Sequence, residues 1–106
     1  MNRPLTVEAL DALDYEEITI DATAGGIGLT TTKIQPSGDI ARTAVRITFE
    51  SAEVRFRHDG GAPTASVGHR AADGDSLTLN GVTNLKNFRA IRTTGVSATA
   101  RVTYFR

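Results

Sequence analysis

Two histidines, three turn aspartates and a set of arginines are the side chains of this sequence best able to do chemistry. His58 and His69 are the only imidazoles, and serines are plentiful, so a Ser-His-Asp relay is the first constellation to weigh. No glycine-flanked nucleophile elbow surrounds any serine. His58 falls at an inward strand position and His69 follows Gly68 in a loop, so both read as hydrogen-bonded structural groups. Asp59, Asp73 and Asp75 could offer hard oxygen ligands to calcium. Their spacing matches no calcium loop, and they read as turn formers that bond nearby backbone. Gly25-Gly26-Ile27-Gly28 has the glycine content of a phosphate loop, but no helix is expected after it to present amide groups. The sequence therefore predicts no catalytic residue, no cofactor and no metal ligand.

The arginines are the stronger signal. Arg55 and Arg57 project outward from one strand, and Arg89, Arg92 and Arg101 come from strands that can neighbour it. Lys33 and Lys86 are the only lysines. Such a set is either a solvated sheet face or an interface whose guanidinium forks grip carboxylates in pairs of hydrogen bonds. A second candidate contact set is Leu5, Leu10 and Leu13, which would line one side of a short helix after Pro4-Leu5-Thr6. That helix is too short to stand alone. Residues 1–14 thus read as an N-terminal arm, lying on a neighbouring subunit or covering an open end of its own domain, with the domain proper at 15–106.

These residues must be positioned by strands. Tyr15 to Ala22 alternates, with Ile18, Ile20 and Ala22 on one face. Gly25-Gly26 breaks it, and Ile27 to Ile34 resumes extended structure because its β-branched content argues against a helix. Gln35 to Asp39 is a turn. Ala44 to Glu50 alternates with Val45, Ile47 and Phe49 inward, and Ser51-Ala52 leads directly into the Glu53 strand, where Val54, Phe56 and His58 face inward. Without Gly or Asn at that turn the two strands are expected to arch between sheets. Asp59-Gly60-Gly61 reverses the chain, Pro63 stiffens the exit, and Asp73-Gly74-Asp75 delivers a strand with Leu77 and Leu79 on one face. Asn80-Gly81 is the strongest short-range turn dipeptide. Leu85 to Thr93 reads as a strand of imperfect phase, reconciled by a bulge near Asn87 to Arg89. After Thr94-Gly95, Ser97 to Phe105 closes the chain with Ala98, Ala100, Val102 and Tyr104 inward. The fold class is all-β: an antiparallel β-sandwich of seven to eight short strands, immunoglobulin-like or jelly-roll-like.

At 106 residues the chain suits one domain with a modest core, and its six aromatics make that core thin. Small thin-cored domains draw stability from assembly. There is no cysteine, which excludes disulfides, thiolate metal sites and thiol nucleophiles and favours assembly in a reducing cytoplasm. No apolar run approaches the roughly 18 residues of a membrane span, and no signal pattern opens the chain, so neither membrane nor export is expected. No basic cluster with interleaved aromatics points to nucleic acid. Net charge is zero but divided: residues 1–53 hold nine acids and four bases, residues 54–106 three acids and eight bases. The halves either complement one another within the chain or set the register between subunits.

The succession IGLTTTKI, AVRITFESAEVRFRHDGGAPTASVGHRAADGDSLTL, NFRAIRT and SATARVTYFR resembles a group of small tailed-bacteriophage proteins encoded among virion morphogenesis genes, over roughly residues 15–106. Its most distinctive parts are R-[FY]-R-x-D-G-x-x-P-T (Arg55, Phe56, Arg57, Asp59, Gly60, Pro63, Thr64), the following Gly68-His69, Gly74-Asp75 and the late F-R-A-I. Gly61 stands where the pattern has Thr or Ser, a departure expected to loosen the turn. The resemblance implies a virion structural β-sandwich without enzymatic activity: a capsid decoration or cement protein binding the major capsid protein or another virion protein. A homo-oligomer, a trimer among the options, is the expected assembly, with synthesis in the host cytoplasm and residence in the virion. The alternative within the particle is a head–tail connector or tail component. The D-G-x-x-P-T turn is also similar to immunoglobulin-like accessory domains of bacterial glycoside hydrolases, which makes a carbohydrate-binding accessory module the alternative of another class. That reading needs exposed aromatics, and with Phe49, Phe56 and Phe88 assigned to the core, Tyr15, Tyr104 and Phe105 are what remains.

Overall fold

Alternation of apolar with polar residues sets most strands of this chain, and glycine or aspartate sets where they stop. The computed structural model describes residues 10–106. In these it forms β1 (Ala12–Ile20), β2 (Ile27–Gly28), β3 (Ala44–Glu50), β4 (Val54–Arg57), β5 (His69–Ala71), β6 (Ser76–Asn80), β7 (Arg89–Arg92) and β8 (Ala98–Phe105). Two short helices join them, α1 (Thr31–Ile34) and α2 (Val82–Asn87). Leu5 lies outside the described residues. β1 begins at Ala12, so the boundary between arm and sandwich drawn after residue 14 falls inside a strand.

β1 pairs with β8, β2 with β7, β3 with β6 and β4 with β5, all antiparallel. The chain is thus one long antiparallel ribbon whose tip is the β4–β5 loop. Lateral pairing of β3 with β8 and of β4 with β7 wraps the ribbon into two four-stranded sheets, ordered β1-β8-β3-β6 and β2-β7-β4-β5. This is the jelly-roll solution of an antiparallel sandwich, and the immunoglobulin order is not adopted. The core lies between the sheets, where Val45, Ile47, Phe49, Val54, Val102 and Tyr104 are fully covered. β3 and β4 belong to different sheets, so the connection at Ser51-Ala52 is an arch, as the missing turn glycine implied. Ser51 adopts φ 82°, and Asp73 Oδ1 holds the arch by accepting its N–H at 3.0 Å.

Two stretches read as strand are helical. Thr31–Ile34 forms one turn, with Ile34 N–H bonded to Thr30 O, because burying Ile34 against the core outweighs the few tenths of a kcal/mol that threonines cost a helix. Leu85 belongs to α2. Asn80-Gly81 does not close a hairpin: Gly81, at φ 97°, starts a helix that carries the chain from β6 in one sheet to β7 in the other. The broken phase across residues 85–93 is therefore a change of element, with Leu85 buried from the helix and Ala90 from the strand, and no bulge is needed. A bulge occurs instead in β1, between Ala12 and Asp14.

Part of the split charge is paired inside the chain. β8 from the basic half runs between β1 and β3 from the acidic half, so Arg101 bridges Glu17 at 2.7 Å and Glu50 at 2.8 Å. Arg70 likewise meets Glu53 at 3.2 Å.

Candidate functional site

Register gathers the arginines on the outer face of the β2-β7-β4-β5 sheet. Val54 and Phe56 point to the core, so Arg55 and Arg57 point away from it. Arg55 pairs with Ile91 on one side and Arg70 on the other, and Arg57 pairs with Arg89. Four guanidinium stems, Arg55, Arg57, Arg70 and Arg89, therefore share one face with Ile91. Ile91 is only 9% exposed though it lies outside the core cluster, as expected when long arginine stems lie over a neighbour.

Three of the four arginines are committed. Arg57 makes a two-pronged pair with Asp59, Nε to Oδ1 at 3.0 Å and Nη2 to Oδ2 at 2.7 Å, and Nη1 reaches Ala62 O at 3.5 Å. Arg55 Nη1 donates to Gly68 O at 3.0 Å. Arg70 holds Glu53. Arg89 is exposed and has no carboxylate within ion-pair distance among the described residues.

The loop 58–68 is a strap fastened to this face. Asp59 Oδ1 accepts the Gly61 N–H at 3.1 Å, Thr64 and Val67 close a turn, and buried Pro63 reaches the β2 side of the sheet beside Gly26. A Cβ on Gly61 would run into the Arg57 guanidinium. Glycine at position 61 thus lets the guanidinium lie close against the strap, although a flexible arginine end could shift aside for a larger residue.

Other predicted residues go elsewhere. Arg92, three positions from Arg89 in an alternating strand, has the opposite parity, and its Nη1 donates to Ser97 Oγ at 3.1 Å. Arg101 lies on the other sheet, where Glu50, Tyr15 and Glu17 raise its pKa further above the ordinary arginine value. Leu13 sits exposed at the β1 bulge. Leu10 is half-buried and lines a cleft of about 170 Å³ with Ala44, Phe105 and their polar neighbours. Arg70 was missed: its signal, the outward middle residue of His69-Arg70-Ala71, is only three residues long and carries no period on its own. Glu16 was missed too, although it shares parity with inward Ile18 and Ile20.

The histidines do meet. His58 and His69 have ring centroids 6.3 Å apart, and both pack on Phe56, at 6.4 and 5.5 Å. They line a concavity of about 400 Å³ with Arg57, Asp59, Val67 and Gly68. The three turn aspartates do not gather: Asp73 serves the arch, Asp75 accepts the Ala72 N–H at 2.7 Å, and Asp59 serves the strap. Among the described residues no group of three or more His, Asp or Glu is arranged to hold a metal. A helix, α1, does follow the 25–28 glycines, contrary to expectation. Its cap residue Thr30 has the N–H already turned to Glu16 Oε2 at 3.4 Å. Of the aromatics, Phe49, Phe56, Phe88 and Tyr104 are buried, leaving Tyr15 exposed and Phe105 half-buried. No helix among the described residues is long and apolar enough to cross a membrane.

The strap pair makes stability depend on acid. Arg57 first, then the Gly61 N–H, hold the Asp59 carboxyl at about 2 in the folded protein, below the ordinary aspartate value of 3.8. Asp14, beside Lys33, and Asp21, beside Thr23, are also lowered. A carboxyl lowered in the folded state contributes fully above its unfolded value and loses that contribution as pH falls through its folded value. The urea midpoint is therefore expected to be flat above about pH 5 and to decline between about pH 4 and 2. Asp59→Asn should make the decline shallower. Parallel curves for the two proteins would show that the pair contributes nothing, which is the fate of many exposed pairs.

No family model matches this chain, and no curated protein or solved structure matches it either.

Proposed function

We propose that this chain is a non-enzymatic structural protein of a tailed-phage virion, a decoration or cement protein that docks on the capsid lattice through the outer face of its β2-β7-β4-β5 sheet. The observation that carries the reading is the convergence of Arg55, Arg57, Arg70 and Arg89 on that one face. Arginine is the residue suited to paired hydrogen bonds with carboxylates of another subunit. The resemblance of residues 15–106 to virion morphogenesis proteins supplies the partner, and a symmetric oligomer would multiply individually modest contacts into avidity. A strap already fastened by its own hydrogen bonds suits that work, since less conformational entropy remains to be lost on docking.

Light scattering of the purified protein and co-sedimentation with undecorated phage heads test this. An oligomer that pellets with heads is the expected result. Arg70 and Arg89 are the two arginines whose reversal disturbs the fold least, because Arg57 pins the strap and Arg55 holds Gly68. The Arg70→Glu/Arg89→Glu double variant gives up only the exposed pair with Glu53, so it should stay folded with a slightly lowered melting temperature and bind heads about tenfold or more weakly. Unaltered head binding would remove this face from the interface. A wild-type protein that ignores heads would sink the decoration assignment and favour a connector or tail position.

A further inference from the structure

Asp59-Gly60, Asp73-Gly74 and Asn80-Gly81 are the dipeptides of this chain most prone to succinimide formation, because a glycine nitrogen meets no side chain of its own on the way to the preceding carboxyl or carboxamide carbon. By composition Asn80-Gly81 is the most reactive, since a carboxamide is neutral whereas a carboxylate repels the attacking nitrogen. The fold reverses that order. All three glycines adopt nearly the same backbone, with φ of 92°, 91° and 97°, so glycine conformation does not separate them. Their nitrogens do. Gly74 donates to Phe49 O and Gly81 to Thr43 O, each at 2.7 Å, which ties both attacking atoms to neighbouring backbone. Asn80 is also fixed in β6 by its pairing with Ala44, and Asp73 Oδ1 is taken by the Ser51 N–H. The Gly60 N–H has no acceptor among the described residues. A Cβ on Gly60 would meet only Asn87 Nδ2, at 3.9 Å, so there is space beside it for a ring to close.

We propose that Asp59-Gly60 is the site at which the folded chain isomerises spontaneously to isoaspartate, and that the Arg57 fork is its guard. The Gly60 nitrogen attacks Asp59 Cγ while the carboxyl is neutral. A C–N bond forms, the carboxyl O–H leaves with the nitrogen's proton as one water, and a succinimide closes. Water then adds back to one of the two ring carbonyls. Opening at Cγ restores aspartate; opening at the main-chain carbonyl of residue 59 breaks its bond to the Gly60 nitrogen and leaves the chain running through Cγ. No atom is gained or lost overall, and water is the only other reactant. Arg57 opposes the first step by keeping the carboxylate ionised, with Nε on Oδ1 at 3.0 Å and Nη2 on Oδ2 at 2.7 Å. The Asp59 side chain is 61% exposed, so salt weakens this restraint. The product lengthens the strap backbone by one carbon and moves the carboxylate out of its two-pronged pair, which releases Arg57. None of this depends on what docks on the face.

Trypsin reads this directly, because Arg57 and Arg70 bracket a peptide that holds residue 59 without residues 73 and 80. The folded full chain is aged at about pH 5, where its stability is still flat, and isoaspartate is located by mass spectrometry. It is expected at residue 59 ahead of 73 and 80. The rate at 59 should rise with salt, rise about tenfold or more in Arg57→Gln, and stay unchanged in Arg89→Gln. Since Arg57→Gln also loosens the strap, a second variant isolates the nitrogen. Asp59→Asn sets the same Asn-Gly dipeptide in two places of one molecule. At neutral pH the amide at position 59 should deamidate about tenfold faster than that of Asn80 while the chain is folded, and the two rates should converge in urea. Overturning results are isoaspartate at 73 or 80 before 59, equal deamidation at 59 and 80 in folded Asp59→Asn, or an Arg57→Gln rate equal to that of the wild type.

Discussion

Glu16→Ala is expected to lower the free energy of unfolding by about 3 kcal/mol, near the top of the range for losing a buried hydrogen-bond partner. Glu16 faces inward from β1 and serves three donors. The Tyr104 hydroxyl donates to Oε2, the Thr30 hydroxyl to Oε1 at 2.6 Å, and the Thr30 N–H to Oε2 at 3.4 Å. Tyr104 is wholly covered, and burial followed by this bond raises its hydroxyl pKa well above the ordinary tyrosine value. Without Glu16 the phenol keeps its buried site and loses its acceptor, the orphaned donor that costs most. Thr30 immediately precedes α1, so the same change removes the tie from β1 to the turn that seats Ile34 on the core. Urea unfolding measures the loss. Glu16→Gln keeps an acceptor and should lose about 1 kcal/mol. In the Glu16→Ala/Tyr104→Phe double variant the orphan is gone, so it should be less destabilised than the sum of the single changes. Strict additivity would show that the two residues do not act together.

Gly68→Ala is expected to cost about 2–4 kcal/mol, combining backbone strain with a clash. Gly68 has φ 127°, and a Cβ there would lie 2.9 Å from Phe56 O and 3.3 Å from Phe56 N. Those atoms are β4 backbone, which cannot swing aside as a side chain can. The strap would have to lift where Gly68 O receives Arg55, at the point where β5 begins its pairing. Gly74→Ala is the control: its φ is 91°, but a Cβ there meets nothing within 4 Å. It should lose only the strain, about 1–2 kcal/mol. Equal midpoints for the two variants would show that the close approach of Gly68 to β4 carries no weight.

Most of the fold was legible because its signals are local. The alternation of Val45, Ile47 and Phe49, and of Ala98, Ala100, Val102 and Tyr104, names the inner face of β3 and β8 without knowledge of any partner, and all seven are buried. The arch at Ser51 followed from a turn that lacks glycine. The two helices were not legible, since short runs such as Thr31–Ile34 have weak propensity either way and the covering of Ile34 and Leu85 decides them. Arg92 could have been set apart from Arg89 by parity alone. Arg70 could not have been added, because three residues of strand carry no period.

What the sequence by itself determined is an antiparallel β-sandwich, the inward set of its long strands and most of the places where the chain turns, because side-chain alternation and turn chemistry act within a few residues. Only the tertiary structure decided that the ribbon wraps as a jelly roll, that Arg55, Arg57, Arg70 and Arg89 form one face, that Arg101 is spent on Glu17 and Glu50, and that two remote glycine runs come together beside Arg89. Each of these depends on register between strands far apart in the chain. Register is set by the packing of both faces at once, and a shift of one residue would exchange the face of every side chain.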